Sequence, residues 1–143
     1  MGFRKAQDSD LAAIEALLNV SGLPFEDCHK HLSQFLVYDE ASKILGVGGA
    51  EIYDEVALLR SIAVHSEHRG LGLARSIFLG LKTELLKQGV QDLYLLTDSA
   101  ELYFKHLGFA QIERDKVPQE IKQTEQFSTL CPSSASVMTL RLK

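Results

Sequence analysis

Between an apolar strand and an apolar helix the sequence places Arg69-Gly70-Leu71-Gly72-Leu73-Ala74, residue types that together can hold an anion. Amides that open a helix lack internal acceptors and sit at the positive end of the macrodipole, while glycine lets a ligand reach the main chain. Arg69 adds a planar, permanently charged fork beside those amides. A pyrophosphate suits this combination. An ordinary helix start with an exposed arginine is the competing reading, because Gly-x-Gly alone is a weak signal. A dinucleotide fingerprint is disfavoured, since Arg75 stands where its third glycine belongs and a polar run separates the strand from the turn.

Other side chains invite chemistry. Cys28-His29-x-His31 brings three ligand types into one short segment, but helical geometry spreads them around the axis and no fourth ligand follows, so no metal is expected. His65 and His68 flank the glycine turn and are expected beside phosphates or solvent. Cys131 is expected to pack as a small hydrophobe.

The elements that must position these groups follow from periodicity. Phe3 to Ala6 reads as a strand. Asp8-Ser9-Asp10 starts a helix carrying Leu11, Ile14, Leu17 and Leu18, which Gly22 and Pro24 end. A short helix over 26–32 precedes strands over 34–38, 44–53 and 56–64, with Gly46, Gly48 and Gly49 permitting a bulge or the close approach of another group. Ala74, Ile77, Phe78, Leu81 and Leu85 then share one face of a long helix that stops near Gly89. A strand over 93–97, a helix over 100–107 closed by Gly108, a strand over 109–113, a helical stretch from Pro118 through Leu130 and a strand from Val137 complete the chain. Hairpins followed by a strand-helix-strand unit imply an α/β (α+β) fold with a mixed, mostly antiparallel sheet of six to seven strands and helices on both faces.

The 143 residues suit a single domain over 1–143, and 45% hydrophobic residues suffice for a core. Composition excludes collagen-like, coiled-coil and disordered classes. No apolar run approaches the ~20 residues of a membrane-spanning helix, the N-terminus does not read as a signal peptide, and two distant cysteines suit a reduced state, so the expected location is cytoplasmic. The net charge of −4 argues against nucleic-acid binding, yet between residues 60 and 82 Arg60, Arg69, Arg75 and Lys82 face Glu67 alone. A basic patch on an acidic body fits a compact polyanion.

Arg69, Gly72 and Ala74 match the R/Q-x-x-G-x-G/A signature of GNAT N-acetyltransferases, and the chain resembles that superfamily also in Ser61 to Val64 and in Ala100 to Phe109, similar to the family's A-x-x-x-Y-x-x-x-G-F segment. Gly22-Leu23-Pro24, Leu58 to Ser61, Leu95-Leu96-Thr97 and Leu130 to Ala135 resemble the branch encoded with arsenic-resistance genes, itself similar to amino-acid N-acetyltransferases. The resemblance implies acetyl-CoA as co-substrate. It implies contacts from Ile62, Ala63, Val64, Arg69, Gly70, Leu71, Gly72, Leu73, Ala74, Ser99 and Phe104, with the pantetheine arm between two splayed strands. It also implies a small, amino-acid-like amine as acceptor, no metal and no nucleic-acid or membrane partner, with a homodimer as candidate assembly.

Acetyl transfer needs a neutral amine, stabilisation of the oxyanion and a proton for the leaving thiolate. A backbone N–H of Ile62 to Val64 is the implied oxyanion donor. Glu51 is the candidate base, with an exposed strand carboxylate as the alternative. Arg60 is the candidate for an acceptor carboxylate, with a structural ion pair as the alternative. The tyrosine that many relatives use as general acid is replaced by Phe104, and Tyr103 lies one position earlier, ~100° around a helix. Tyr103, water and Ser99 remain open for that role. A non-catalytic acyl-CoA-binding module is the other reading.

Overall fold

Strand alternation and helical periodicity become a computed structural model that describes residues 2–70, 72–98, 100–130 and 135–142. The strands are β1 (Gly2–Lys5), β2 (Phe35–Glu40), β3 (Lys43–Tyr53), β4 (Val56–Val64), β5 (Asp92–Thr97), β6 (Ala110–Ile112) and β7 (Ser136–Arg141). The α-helices are α1 (Leu11–Val20), α2 (Leu73–Lys87), α3 (Glu101–His106) and α4 (Gln119–Lys122). Short 3-10 turns cover Asp8–Asp10, Cys28–Gln34, Ser66–His68 and Arg114–Lys116, and a π-turn covers Gln126–Leu130. The segment expected as one helix beyond Pro118 is thus broken, α4 ending at Lys122 before the π-turn.

The strands form a seven-stranded sheet in the order β1-β2-β3-β4-β5-β7-β6. β1 with β2, β2 with β3, β5 with β7, and β6 with β7 pair antiparallel, whereas Val56 to Leu58 of β4 pair in parallel with Asp92 to Tyr94 of β5. Parallel neighbours require a crossover, and α2 supplies it. This is the mixed, mostly antiparallel sheet that the sequence pattern implies. Among the described residues no helix is long and apolar enough to cross a membrane.

Contacts divide the chain into two compact units, Met1–Glu51 with Arg60–Glu84, and Ile52–Leu59 with Leu85–Lys143. In the first, Ile14, Leu17 and Leu18 of α1 pack with Cys28, Leu32, Phe35, Val37, Val47 and Ala63. Burying each large aliphatic contributes about 1.5–3 kcal/mol. In the second, Leu58, Tyr94, Val117, Ile121 and Val137 form the core, and the Arg114 guanidinium lies 5.0 Å from the Phe127 ring centre.

The glycines of β3 admit close neighbours on both faces. A Cβ at Gly48 would lie 2.5 Å from Ile77 of α2, and one at Gly49 would lie 2.3 Å from the Phe35 ring. Gly49 pairs directly with Phe35, so the ring fills the space that a side chain would take. The close approach expected from these glycines is therefore of the protein's own helix and aromatic ring.

β4 departs from regular alternation. Arg60 reaches groups on the α1 side, and Ala63 joins the α1 core there, although residues three apart on a regular strand face opposite ways. Ile62 turns the other way, toward Gly48 and α2. Ser61, between them, has φ +61°, in the left-handed region that non-glycine residues rarely occupy. An extra residue in this conformation is a β-bulge, and it resets the parity of the strand.

Candidate functional site

β4 leads to the glycine turn through the 3-10 turn Ser66–His68. His65 follows Val64, and its ring Nδ1 accepts a hydrogen bond from the Glu67 amide at 3.3 Å. Arg69 is extended, and its Nε donates to the Val64 carbonyl at 3.2 Å, tethering the guanidinium to the strand end. Gly70 and Gly72 have φ of +83° and +79°, and a Cβ at either would meet nothing within 4 Å. Backbone hand, not space, therefore requires glycine at both positions. The Ser76 amide donates to the Gly72 carbonyl at 3.0 Å, which closes the first turn of the fifteen-residue α2.

The result is a long helix whose leading amides lack internal acceptors, approached by two left-handed glycines and flanked by Arg69 and Arg75, both exposed. Leu73 and Ala74 form its first turn. His68 stands 5.8 Å from the His65 ring, with its Nδ1 buried and lacking a hydrogen-bond partner among the described residues. Ala63 and Val64 are buried and Ile62 half-buried, so this stretch of β4 gives its side chains to packing. Leu71, Ser99 and Cys131 lie outside the described residues.

A second constellation forms on the α1 side of β3 and β4. Arg60 Nη1 donates to Asp27 Oδ2 at 2.6 Å and to Glu51 Oε2 at 2.7 Å, Nη2 donates to Asp27 Oδ1, and Nε donates to Ser61 Oγ at 3.0 Å. Arg60, Asp27 and Glu51 are 4%, 1% and 2% exposed. The guanidinium also lies 5.8 Å from the Phe35 ring centre. Burial works to raise the Asp27 carboxyl pKa, but the hydrogen bonds and charge of Arg60 prevail and hold it below the usual range. Burial likewise opposes the Arg60 charge, and Asp27 and Glu51 outweigh it and hold its pKa high.

His31 joins from the 3-10 segment, its Nε2 3.5 Å from Glu51 Oε1 and its side chain 26% exposed. Donor atoms of Asp27, His31 and Glu51 lie within 4.8 Å of one another. The cation already seated on both carboxylates is the Arg60 guanidinium. Of the run Cys28-His29-x-His31, Cys28 is buried in the core, His29 is exposed and His31 meets Glu51, so the three diverge as helical geometry requires.

Glu51 and Arg60, considered separately in the sequence, thus meet in one buried network. An acceptor carboxylate could reach the guanidinium only by displacing Asp27 or Glu51. Asp27 and His31 are the members that sequence reasoning missed as partners. Asp27 directly precedes the 3-10 segment and His31 lies within it, and nothing local announces an arginine 33 residues after Asp27. In the second unit, Tyr103 is 39% exposed and its ring stands edge-on to Phe104 at 5.4 Å, while Phe104 meets Phe109 at 5.7 Å. The Phe104 ring is thus committed to packing.

Residues 6–109 match the acetyltransferase (GNAT) family. An uncharacterized N-acetyltransferase of Chlorobaculum tepidum is 30% identical over 97 residues, which are 67% of this chain and 62% of that protein's length. N-acetylglutamate synthase from Neisseria gonorrhoeae, solved with coenzyme A and N-acetyl-glutamate, superposes with a TM-score of 0.86 at 17% identity, over 99% of this chain and 35% of its own. A Mycobacterium tuberculosis protein solved with CoA superposes over the whole of both chains with a TM-score of 0.82 at 22% identity. At these identities the structural likenesses establish the fold.

Proposed function

The chain belongs to the GNAT acetyltransferase family, and from that premise we propose that it transfers the acetyl group of acetyl-CoA to the amine of a small, amino-acid-like acceptor. The observation that carries the reading is the anion site at the start of α2, where left-handed Gly70 and Gly72 bare the helix amides and Arg69 is tethered to Val64. A pyrophosphate is the ligand such a site suits. Acetyl-CoA supplies the activated acyl group, and the chain's own task is to hold the cofactor, orient the acceptor and move protons. In this proposal the Leu73 and Ala74 amides and Arg69 hold the phosphates, and a backbone N–H of Ile62 to Val64 polarises the carbonyl.

The acceptor class rests on the resemblance to the arsenic-associated, amino-acid N-acetyltransferase-like branch. The fold shared with a Neisseria enzyme solved with N-acetyl-glutamate supports it. Glu51 is the proposed carboxylate for deprotonating the amine. Tyr103 is the proposed donor for the thiolate, and Tyr103→Phe tests it: loss of the alkaline limb of the kcat profile is expected, and an unchanged profile removes Tyr103 from the mechanism.

The non-catalytic reading is favoured by Phe104, which puts a packed ring where many relatives carry a hydroxyl. Incubation with acetyl-CoA and pooled amino acids, amines and small xenobiotics, followed by thiol release and mass analysis, separates the two. Turnover identifies the acceptor. Tight CoA binding without turnover across the panel leaves a binding module.

A further inference from the structure

Asp27 and Glu51 bring two carboxylates to the buried cluster, and Arg60 sets its guanidinium between them. Asp27 takes both Nη atoms of Arg60. Glu51 receives Nη1 on Oε2 and presents Oε1 to His31. A carboxylate at 2% exposure cannot hand a proton directly to water. His31 can, because its side chain is partly exposed while its Nε2 faces that same carboxylate. With a carboxylate beside one imidazole nitrogen, the opposite nitrogen is left to exchange protons.

We propose that His31 takes the proton from the acceptor's ammonium, with Glu51 fixing its ring and the Asp27–Arg60 pair fixing Glu51. The inference rests on the acetyltransferase reading above, and it moves the base from Glu51 itself to the histidine in front of it. In the step, the N–H bond of the ammonium breaks and a bond from that proton to Nδ1 of neutral His31 forms. A neutral amine with a free lone pair and an imidazolium beside Glu51 result. The imidazolium then releases its proton to solvent, which its partly exposed side chain reaches. Arg60 links the cluster to the reacting strand, since its Nε holds Ser61, the residue directly before Ile62 to Val64. Among the described residues, the charged groups that face His31 are Asp27 ahead of its segment and Glu51 on β3, both of them held by Arg60 of β4. His29 and Lys30 lie on its own segment, and Glu15 of α1 acts on the adjacent Cys28.

The test uses the full chain, acetyl-CoA and an amine accepted in the panel above, with kcat and KM measured across pH and acetyl-CoA affinity measured separately. For His31→Gln, kcat should fall about 100-fold or more and the acid limb of the profile should vanish, as for loss of a general base. Acetyl-CoA affinity and melting temperature should stay unchanged. His31→Ala should regain part of its kcat on addition of imidazole. A kcat for His31→Gln close to that of the unmodified chain, with the same acid limb, overturns the assignment of His31 and leaves the acetyltransferase reading intact. CoA binding without turnover of any amine by the unmodified chain overturns both.

Discussion

Replacing Arg60 by leucine removes the only guanidinium from two carboxylates that are themselves buried, at 1% and 2% exposure. Both carboxylates then stay buried without the guanidinium that bridged them. Breaking a buried ion pair from one side costs about 3–5 kcal/mol, because the stranded charge keeps its desolvation penalty. For a chain of this size that cost lowers the melting temperature by roughly 10 °C. Asp27→Asn is the informative contrast. It leaves Arg60 paired with Glu51 at 2.7 Å, so the loss is of hydrogen-bond quality, about 1–3 kcal/mol.

The pH dependence has a definite sign. Arg60 holds the Asp27 carboxyl below its ordinary range against burial, so its contribution is full above pH ~4 and is lost as pH falls through the folded value. In Arg60→Leu burial loses its main opponent at Asp27, His31 and a backbone hydrogen bond remaining, and the carboxyl pKa rises, so protonation relieves the variant as pH falls. The stability gap between the two proteins should therefore be widest near pH 7 and narrow toward pH 4. Urea unfolding followed by circular dichroism at several pH values measures it. A gap under about 1 kcal/mol at pH 7, or one independent of pH, would refute the buried network and the reasoning built on it.

Ser61→Val forces a β-branched side chain into the left-handed bulge and should cost about 2 kcal/mol, whereas Ser61→Gly should change stability little, relief of backbone strain offsetting the lost hydroxyl. Equal stability of the two in urea would mean that no such bulge is needed. Gly49→Ala drives a Cβ into the Phe35 ring and should cost roughly 2–3 kcal/mol, recovered in part by Phe35→Leu, while Gly72→Ala, with open space around it, should cost only about 1 kcal/mol of backbone strain. Arg69→Ala should raise the acetyl-CoA dissociation constant about tenfold and flatten its dependence on salt, read by calorimetry at two ionic strengths. Unchanged affinity would remove Arg69 from the phosphate site.

How much of this could be read from the chain differs by the range of the interaction. The α2 face was legible because Ile77, Phe78, Leu81 and Leu85 recur at helical spacing, and all four are buried. The glycines of β3 and of the turn were legible as special, but not for which reason. Gly48 and Gly49 answer to neighbours brought close by the fold, Gly70 and Gly72 to backbone hand alone. The face of Arg60 was not legible, because alternation places it with Ile62 and the bulge at Ser61 separates them. A strand pattern cannot reveal a one-residue insertion that only its pairing partner registers. The sequence left Arg60 between an acceptor carboxylate and a structural ion pair, and the structure buries it, where an arginine requires anions. Asp27 and Glu51 meet that requirement, and Glu51 is also the carboxylate that faces a partly exposed histidine.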